Sequence, residues 1–244
     1  MTETAQHTVD PRHNHLLARL PAAEWARWLP HLESVDLVAG QVLCESGSMQ
    51  AYAYFPTTAI VSLLYVTRDG ASAEVAVVGN DGVVGVSLFM GGNATPSQAV
   101  VQSAGQGYRL RAQVVKTEVH AGGPVLHMLL RYAQELIAQV AQTAACNRYH
   151  SIDQLMCRRL LMGLDRSPSD ELVMTHELLA NLLGVRREGV TAAAHKLQQA
   201  GVIRYSRGHI VVVDRPGLER CSGMHYPAVE RETYNHLQAL PMAA

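Results

Sequence analysis

The chain is short of aromatic residues, long apolar runs, cysteine pairs and net charge. Aromatic residues make up 5% of its 244 residues, with only two Phe and two Trp, so a core must be assembled from aliphatic side chains. With 48% hydrophobic residues and a formal net charge of −1, that core is well supplied, which excludes a chain disordered throughout. A membrane-spanning helix needs about 18 consecutive apolar residues. The most apolar stretch, Glu74 to Met90, is interrupted by Gly79, Asn80, Asp81, Gly82 and Gly85. The opening MTETAQHTVDPRHNH has no apolar core of the kind a secretory signal carries. Together these features predict a cytoplasmic protein with no membrane partner. Cys44, Cys146, Cys157 and Cys221 lie far apart with no C-x-x-C, so they read as ordinary reduced thiols, and no iron–sulfur or zinc site is expected.

Near-neutrality conceals an uneven distribution. Leu32 to Val119 carries four basic residues against seven acidic ones, whereas Arg186 to Arg207 carries five basic residues against one acidic. A locally basic segment in a near-neutral chain points to an anionic partner for that segment alone.

The texture changes along the chain. Residues 1–15 read as a disordered leader, and Leu16–Leu20 and Ala22–Leu32 as short helices around Pro21 and Pro30. From Val35 to Leu110 come short β-rich runs punctuated by glycine, VDLVAGQVL, YAYFP, AIVSLLYV, AEVAVVG, GVVGVSLFM, QAVVQ and GYRLR. Several such runs with closely spaced turn signals predict a β-sandwich or barrel. From Pro124 to Asn147 the period becomes helical. Leu126, Leu130, Ala133, Ile137, Val140 and Ala144 recur at alternating spacings of four and three, the seam of a self-pairing helix, which predicts a homodimer. The other reading of that stripe is packing on the helix's own domain. Ser151 is placed to cap a further helix running to Arg166, and RSPSDE reads as a turn.

The segment MTHELLANLLGVRREGVTAAAHKLQQAGVIRYSRGHIVVVD, residues 174–214, carries the chemistry. Thr175 can cap a helix with the stripe Leu178, Leu179, Leu182 and Leu183, and Gly184 breaks it, as the turn of a helix-turn-helix requires. A second helix, about 186–199, turns Val190, Ala193 or Ala194, and Leu197 inward and ends at Gly201. The residues after it read as a hairpin around Ser206, Arg207 and Gly208, which makes the unit a winged helix. The positive end of the second helix suits phosphate. Arg187 is placed to contact a guanine edge in the major groove and Glu188 to accept from a cytosine amino group. Arg186, Lys196, Arg204 and Arg207 are expected on phosphates, with Thr191 and His195 on the same outward face. The alternative for such a unit is a plain protein-interaction module.

A glycine-rich β-domain, a dimer-length helix and a winged helix in this order resemble the Crp/Fnr superfamily of bacterial transcription regulators, over roughly residues 16–220. The strongest local match is LLGVRREGVTAAAHKLQQAGVI, similar to the family's G-x-x-R-E-x-V-x-R-x-L pattern. Arg187, Glu188 and Val190 take its Arg, Glu and Val positions, while its second Arg falls on Ala192. The run GQVLCESG, residues 40–47, is similar to the family's early β-turn. The resemblance implies an α+β chain: a cyclic-nucleotide-binding-like β-roll or jelly roll with a sensory role (16–122), a dimerisation helix (123–150) and a winged helix-turn-helix (151–220); the leader (1–15) lies before it, and the tail (221–244) reads as a loop and then an amphipathic helix with Val229, Tyr234, Leu237 and Leu240. It also implies a homodimer that binds pseudo-palindromic double-stranded DNA and recruits or blocks RNA polymerase.

The sensory half departs from the family. Where cyclic-nucleotide-binding members place a Gly-Glu pair and then an Arg, this chain has Gly85–Val86 and Ser97. Without the arginine a bound phosphate loses charge-assisted hydrogen bonds of about 1.5–3 kcal/mol each, so neither cyclic AMP nor cyclic GMP is expected, and no cofactor. Gly85, Val86, Ser87, Ser97, Gln98 and Ala99 mark where an effector pocket would lie. In the alternative function, a small molecule bound there gates DNA binding. A roll-based enzyme is the remote alternative: no His occurs between His31 and His120, carboxylates do not cluster in the roll, and no catalytic residue is nominated.

Overall fold

The computed structural model describes residues 9–92, 94–167 and 169–223. Its first element overturns an expectation. Residues 9–15, read as part of a leader, are folded against the roll. Asn14 is fully buried; its Nδ2 donates to the carbonyls of Pro56 at 2.9 Å and Gly82 at 2.8 Å. Its Oδ1 caps helix α1 (His15–Ala18), accepting from Leu16 N at 3.1 Å. One side chain thus ties three chain segments together, which composition does not reveal. Helix α2 (Ala22–Trp28) follows and passes into a 3-10 turn at Leu29–His31.

The roll has strands β1 (Glu33–Leu37), β2 (Val42–Cys44), β3 (Tyr52–Pro56), β4 (Ile60–Val66), β5 (Ser72–Val78), β6 (Gln98–Ser103) and β7 (Gly105–Arg111). They form two antiparallel sheets, ordered β1-β7-β3 and β2-β6-β4-β5. Leu37, Ala59, Val61, Val78, Val84, Ala99 and Val101 form a buried aliphatic core cluster there. The run GVVGVSLFM is not a strand. It makes a single bridge, Tyr54 to Val84, then turns into a 3-10 helix at Val86–Leu88. Gly85 causes the change: its φ is +132°, and a Cβ there would stand 3.3 Å from the Ala53 Cα.

Helix α3 (Ala112–Ala121), which the β-rich reading passed over, links the roll to helix α4 (Pro124–Tyr149). The buried side of α4, with Val125, Leu129, Tyr132 and Ala133, joins a cluster with Leu17, Trp28, Phe55, Leu110 and Val115. Burying each large side chain of this kind contributes roughly 1.5–3 kcal/mol. The other side of α4 is open: Leu130 is 44% exposed, Ile137 58% and Val140 38%. Ala144 is exposed with them, and Leu126 is half-buried. Of the expected seam, Ala133 alone is claimed by the chain's own core.

The C-terminal unit comprises α5 (Ile152–Leu164), β8 (Glu171–Val173), α6 (His176–Leu183), α7 (Arg187–Gln199), β9 (Ile203–Ser206), β10 (His209–Val212) and α8 (Arg215–Ser222). Ser151 and Gln154 close a capping box on α5. The three strands are ordered β8-β10-β9. Strand β8 begins on Glu171, the last residue of the segment read as a turn, and is too short to show a period of its own. An amphipathic tail helix with Val229, Tyr234, Leu237 and Leu240 was expected beyond α8; it lies outside the described residues.

The two halves share one core, in which Ile60 and Val77 of the roll pack with Met156, Leu160 and Leu179 of the C-terminal unit. Buried charge crosses the same junction. Arg159 on α5 lies 2.6 Å from Glu74 on β5, and the two are 3% and 7% exposed. Ser62 on β4 donates to Glu74 at 2.5 Å, and Arg159 also donates to Gln102 on β6. Arg166 pairs with Asp81 at 2.6 Å nearby.

Candidate nucleic-acid interface

Three local rules build the helix-turn-helix. Thr175 Oγ1 accepts from Leu178 N at 3.1 Å and starts α6. Gly184 ends it in the left-handed conformation, φ 64° and ψ 33°, where a side chain would be strained. The chain then re-enters helix at Arg187. On α7, Val190, Ala193, Ala194 and Leu197 are buried at the three-and-four spacing. The opposite side carries Arg187, Glu188, Thr191, Ala192, His195 and Lys196, all exposed. Arg186 occupies the N-cap position and makes no side-chain cap, so the first N–H groups of α7 keep their positive end open to an anion.

The wing follows. Strands β9 and β10 pair from Ser206–His209 to Ile203–Val212. Arg207 (φ 48°) and Gly208 (φ 86°) form its two-residue turn, a left-handed pair of the kind that matches strand twist. Arg204 and Arg207 are exposed.

The expected DNA-binding residues therefore occupy exposed positions on α7 and the wing, and two of them form internal ion pairs. Arg187 reaches Glu177 on α6 at 3.5 Å, with both side chains about two-thirds exposed (66% and 69%). Such a pair contributes little and exchanges readily for another anion. Lys196 pairs with Asp153 on α5 at 2.9 Å, which anchors it at the edge of the exposed side.

His176 and Tyr205 escaped the sequence reading. The His176 ring stacks on Tyr205 with centroids 4.1 Å apart and planes 20° apart. Its Nδ1 is 3.0 Å from Thr191 Oγ1, and Thr191 in turn donates to the Arg187 carbonyl at 3.1 Å. Since that hydroxyl proton is used, Nδ1–H donates to Thr191, the neutral tautomer this network assigns. Burial, and then the charge of Arg187, lower the His176 pKa. The imidazole thus joins the start of α6, the reading helix and the wing. It stands 15 residues from Thr191 and 29 from Tyr205, too far apart for helix or strand spacing to relate them.

In the roll, Gly85, Val86, Ser87, Ser97 and Ala99, five of the six expected pocket residues, line a cavity of roughly 340 Å³. Gln98 does not line it; its Nε2 donates to Glu45 at 2.7 Å on the exposed face of β6, because alternate strand residues face opposite ways. Val84, Met90, Gly92, Thr95 and Pro96 adjoin them in sequence, and Gln50, Leu63 and Leu136, from three other segments, complete the wall. Among the described residues no group of three or more His, Cys, Asp or Glu could hold a metal ion. All four cysteines are free thiols; burial pushes the Cys157 thiol up to about 12, so it is a poor nucleophile at neutral pH. No helix among the described residues is long and apolar enough to cross a membrane.

A β-roll, a long helix and a winged helix-turn-helix follow one another along the chain. Residues 156–221 match the Crp-like helix-turn-helix domain. The whole fold is similar to a putative Crp/Fnr-family transcriptional regulator from Eubacterium rectale (TM-score 0.69, 18% identity, 87% of this chain and 100% of that one). It is also similar to a CRP/FNR-family transcriptional regulator from Thermus thermophilus (TM-score 0.62, 22% identity, 79% and 99%) and to FixK2 from Bradyrhizobium japonicum (TM-score 0.66, 14% identity, 79% and 98%). No curated protein matches the chain. The helix-turn-helix part is thus similar to the Crp-like domain, and the chain as a whole shares the fold of these solved structures.

Proposed function

We propose that this chain is a cytoplasmic, homodimeric, sequence-specific DNA-binding transcription regulator without enzymatic activity. The observation that carries the reading is α7: one side fully committed to the core, the other presenting Arg187, Glu188, Thr191 and His195 to solvent beside an uncapped, positive N-terminus. Arg187 and Glu188 read base edges in the major groove. Arg186, Arg204 and Arg207 hold phosphates, and Lys196 joins them by exchanging Asp153 for the backbone. Self-pairing is supported by Leu130, Ile137, Val140 and Ala144, an exposed apolar line on a 26-residue helix. Two subunits joined along that line would read two half-sites about 34 Å apart, one helical turn of DNA.

The test is selection from random duplex DNA by the purified chain at one stated salt concentration. A two-fold symmetric site is the expected product. Failure to enrich any sequence, both alone and with cell extract added, overturns the reading in favour of a protein-interaction module.

A further inference from the structure

The cavity of roughly 340 Å³ lies between the strands β4 and β6 of the roll and helix α4, which contribute Leu63, Ala99 and Leu136 to its wall. Its volume falls at the small end of the range of about 300–1,000 Å³ found for small-molecule sites. None of the described residues lining it ionises near neutral pH; the polar groups are neutral amides and hydroxyls. Ser87 donates to Gln50 Oε1 at 2.5 Å, which leaves the Gln50 NH2 to donate to a ligand. Ser97 also lines the cavity. A charged ligand entering here would give up its hydration and meet no counter-charge, whereas an apolar ligand loses nothing it needs. Apolar cavities of this kind take up aromatic molecules readily.

We propose that the cavity binds an uncharged, largely apolar small molecule about the size of a substituted naphthalene, held by one or two hydrogen bonds from Gln50 and Ser97. The proposal goes beyond the regulator reading by naming a ligand class for the roll, and its link to DNA binding rests on that reading. The ligand would rest on Leu136, the immediate neighbour of Ile137 on the exposed line of α4, so occupancy would be felt where the subunits pair.

The test uses the full chain without DNA, so its failure leaves the DNA-binding reading standing. N-phenyl-1-naphthylamine, a neutral fluorophore, is titrated into the protein with cyclic AMP as the anionic competitor. The expected result is saturable binding of one probe per chain, not displaced by millimolar cyclic AMP. Ala99→Leu, which fills the cavity from β6, is expected to weaken binding roughly tenfold or more. Leu136→Trp, which fills it from α4, does the same if Ala99→Leu disturbs the roll. Thermal melts confirm which variant is folded. Absence of saturable binding overturns the proposal. So does undiminished binding to a folded filled variant, which would put the probe on the exposed side of α4. Displacement by cyclic AMP overturns it as well, by showing that the site accepts an anion.

Discussion

Replacing Glu74 by glutamine is expected to destabilise the junction between the roll and the winged helix by about 3 kcal/mol. The pair it breaks is almost wholly withdrawn from water, Arg159 being 3% and Glu74 7% exposed. Removing one partner of such a pair leaves a buried, uncompensated charge and costs about 3–5 kcal/mol. The lower end applies here for two reasons. The glutamine carbonyl still accepts from Ser62, and Arg159 keeps its contact with Gln102. The native cluster is also imperfect, since Arg159 Nη1 and Gln102 Nε2 have no hydrogen-bond partner among the described residues. A second variant separates charge from shape: Glu74→Gln combined with Arg159→Met leaves no charge behind and is expected to recover about 2 kcal/mol of the loss. Urea unfolding of the full chain is followed by circular dichroism, which sees both halves, and by tryptophan fluorescence. The two tryptophans, Trp25 and Trp28, sit together on α2 against the roll. In the single variant the dichroism transition should begin at lower urea than the fluorescence transition, because the winged helix loosens first. Two results would refute the reasoning: a single variant within about 0.5 kcal/mol of the native chain, or a double variant whose cost equals the sum of the two singles.

Three further outcomes are expected. Arg187→Ala should lose discrimination at one base pair in each half-site, about 1–3 kcal/mol; equal losses on selected and random duplexes would reduce Arg187 to a phosphate contact. Ile137→Asp should turn the dimer into a monomer in sedimentation, and a variant still sedimenting as a dimer would place the interface elsewhere. The His176 pKa lies below its ordinary value of 6.5 in the folded state, so the unfolded chain binds that proton first, and stability falls as pH drops below about 6.5 towards the folded value. The difference in acid-limb slope between the native chain and His176→Asn, read from urea midpoints across pH, measures this component, and parallel slopes would show that the stacked imidazole does not titrate differently on folding.

What was legible in the sequence was what local rules dictate. Ser151, Thr175, Gly184 and Gly201 each mark a helix end through their own side chain or φ, and the structure places each at such an end. The inward side of α7 was readable because Val190 and Leu197 keep a helical period. The elements that were missed depend on partners distant in sequence. Asn14 is held by Pro56 and Gly82, whose positions only the finished roll determines. GVVGVSLFM has strand composition throughout, yet the close approach of Ala53 to Gly85 bends it out of the sheet. The cavity shows both cases. Gly85 through Ser87 and Ser97 were reached through the family resemblance, whereas Leu63 and Leu136 lie too far along the chain for any motif to join them to it. The ionic junction was invisible for the same reason: Glu74 and Arg159 stand 85 residues apart.

Strands β4 and β6 form a wall one residue thick, with a different occupant on each side. Leu63 and Ala99 face the cavity, while their near neighbours Ser62 and Gln102 face the buried charges that seat α5. Neither side can be redesigned in isolation. A substitution that enlarges or fills the cavity shifts a backbone that also carries the footing of the winged helix, and a change of that footing reshapes the chamber behind it. Selection on the shape of the chamber is, through this shared wall, also selection on how firmly the winged helix is seated.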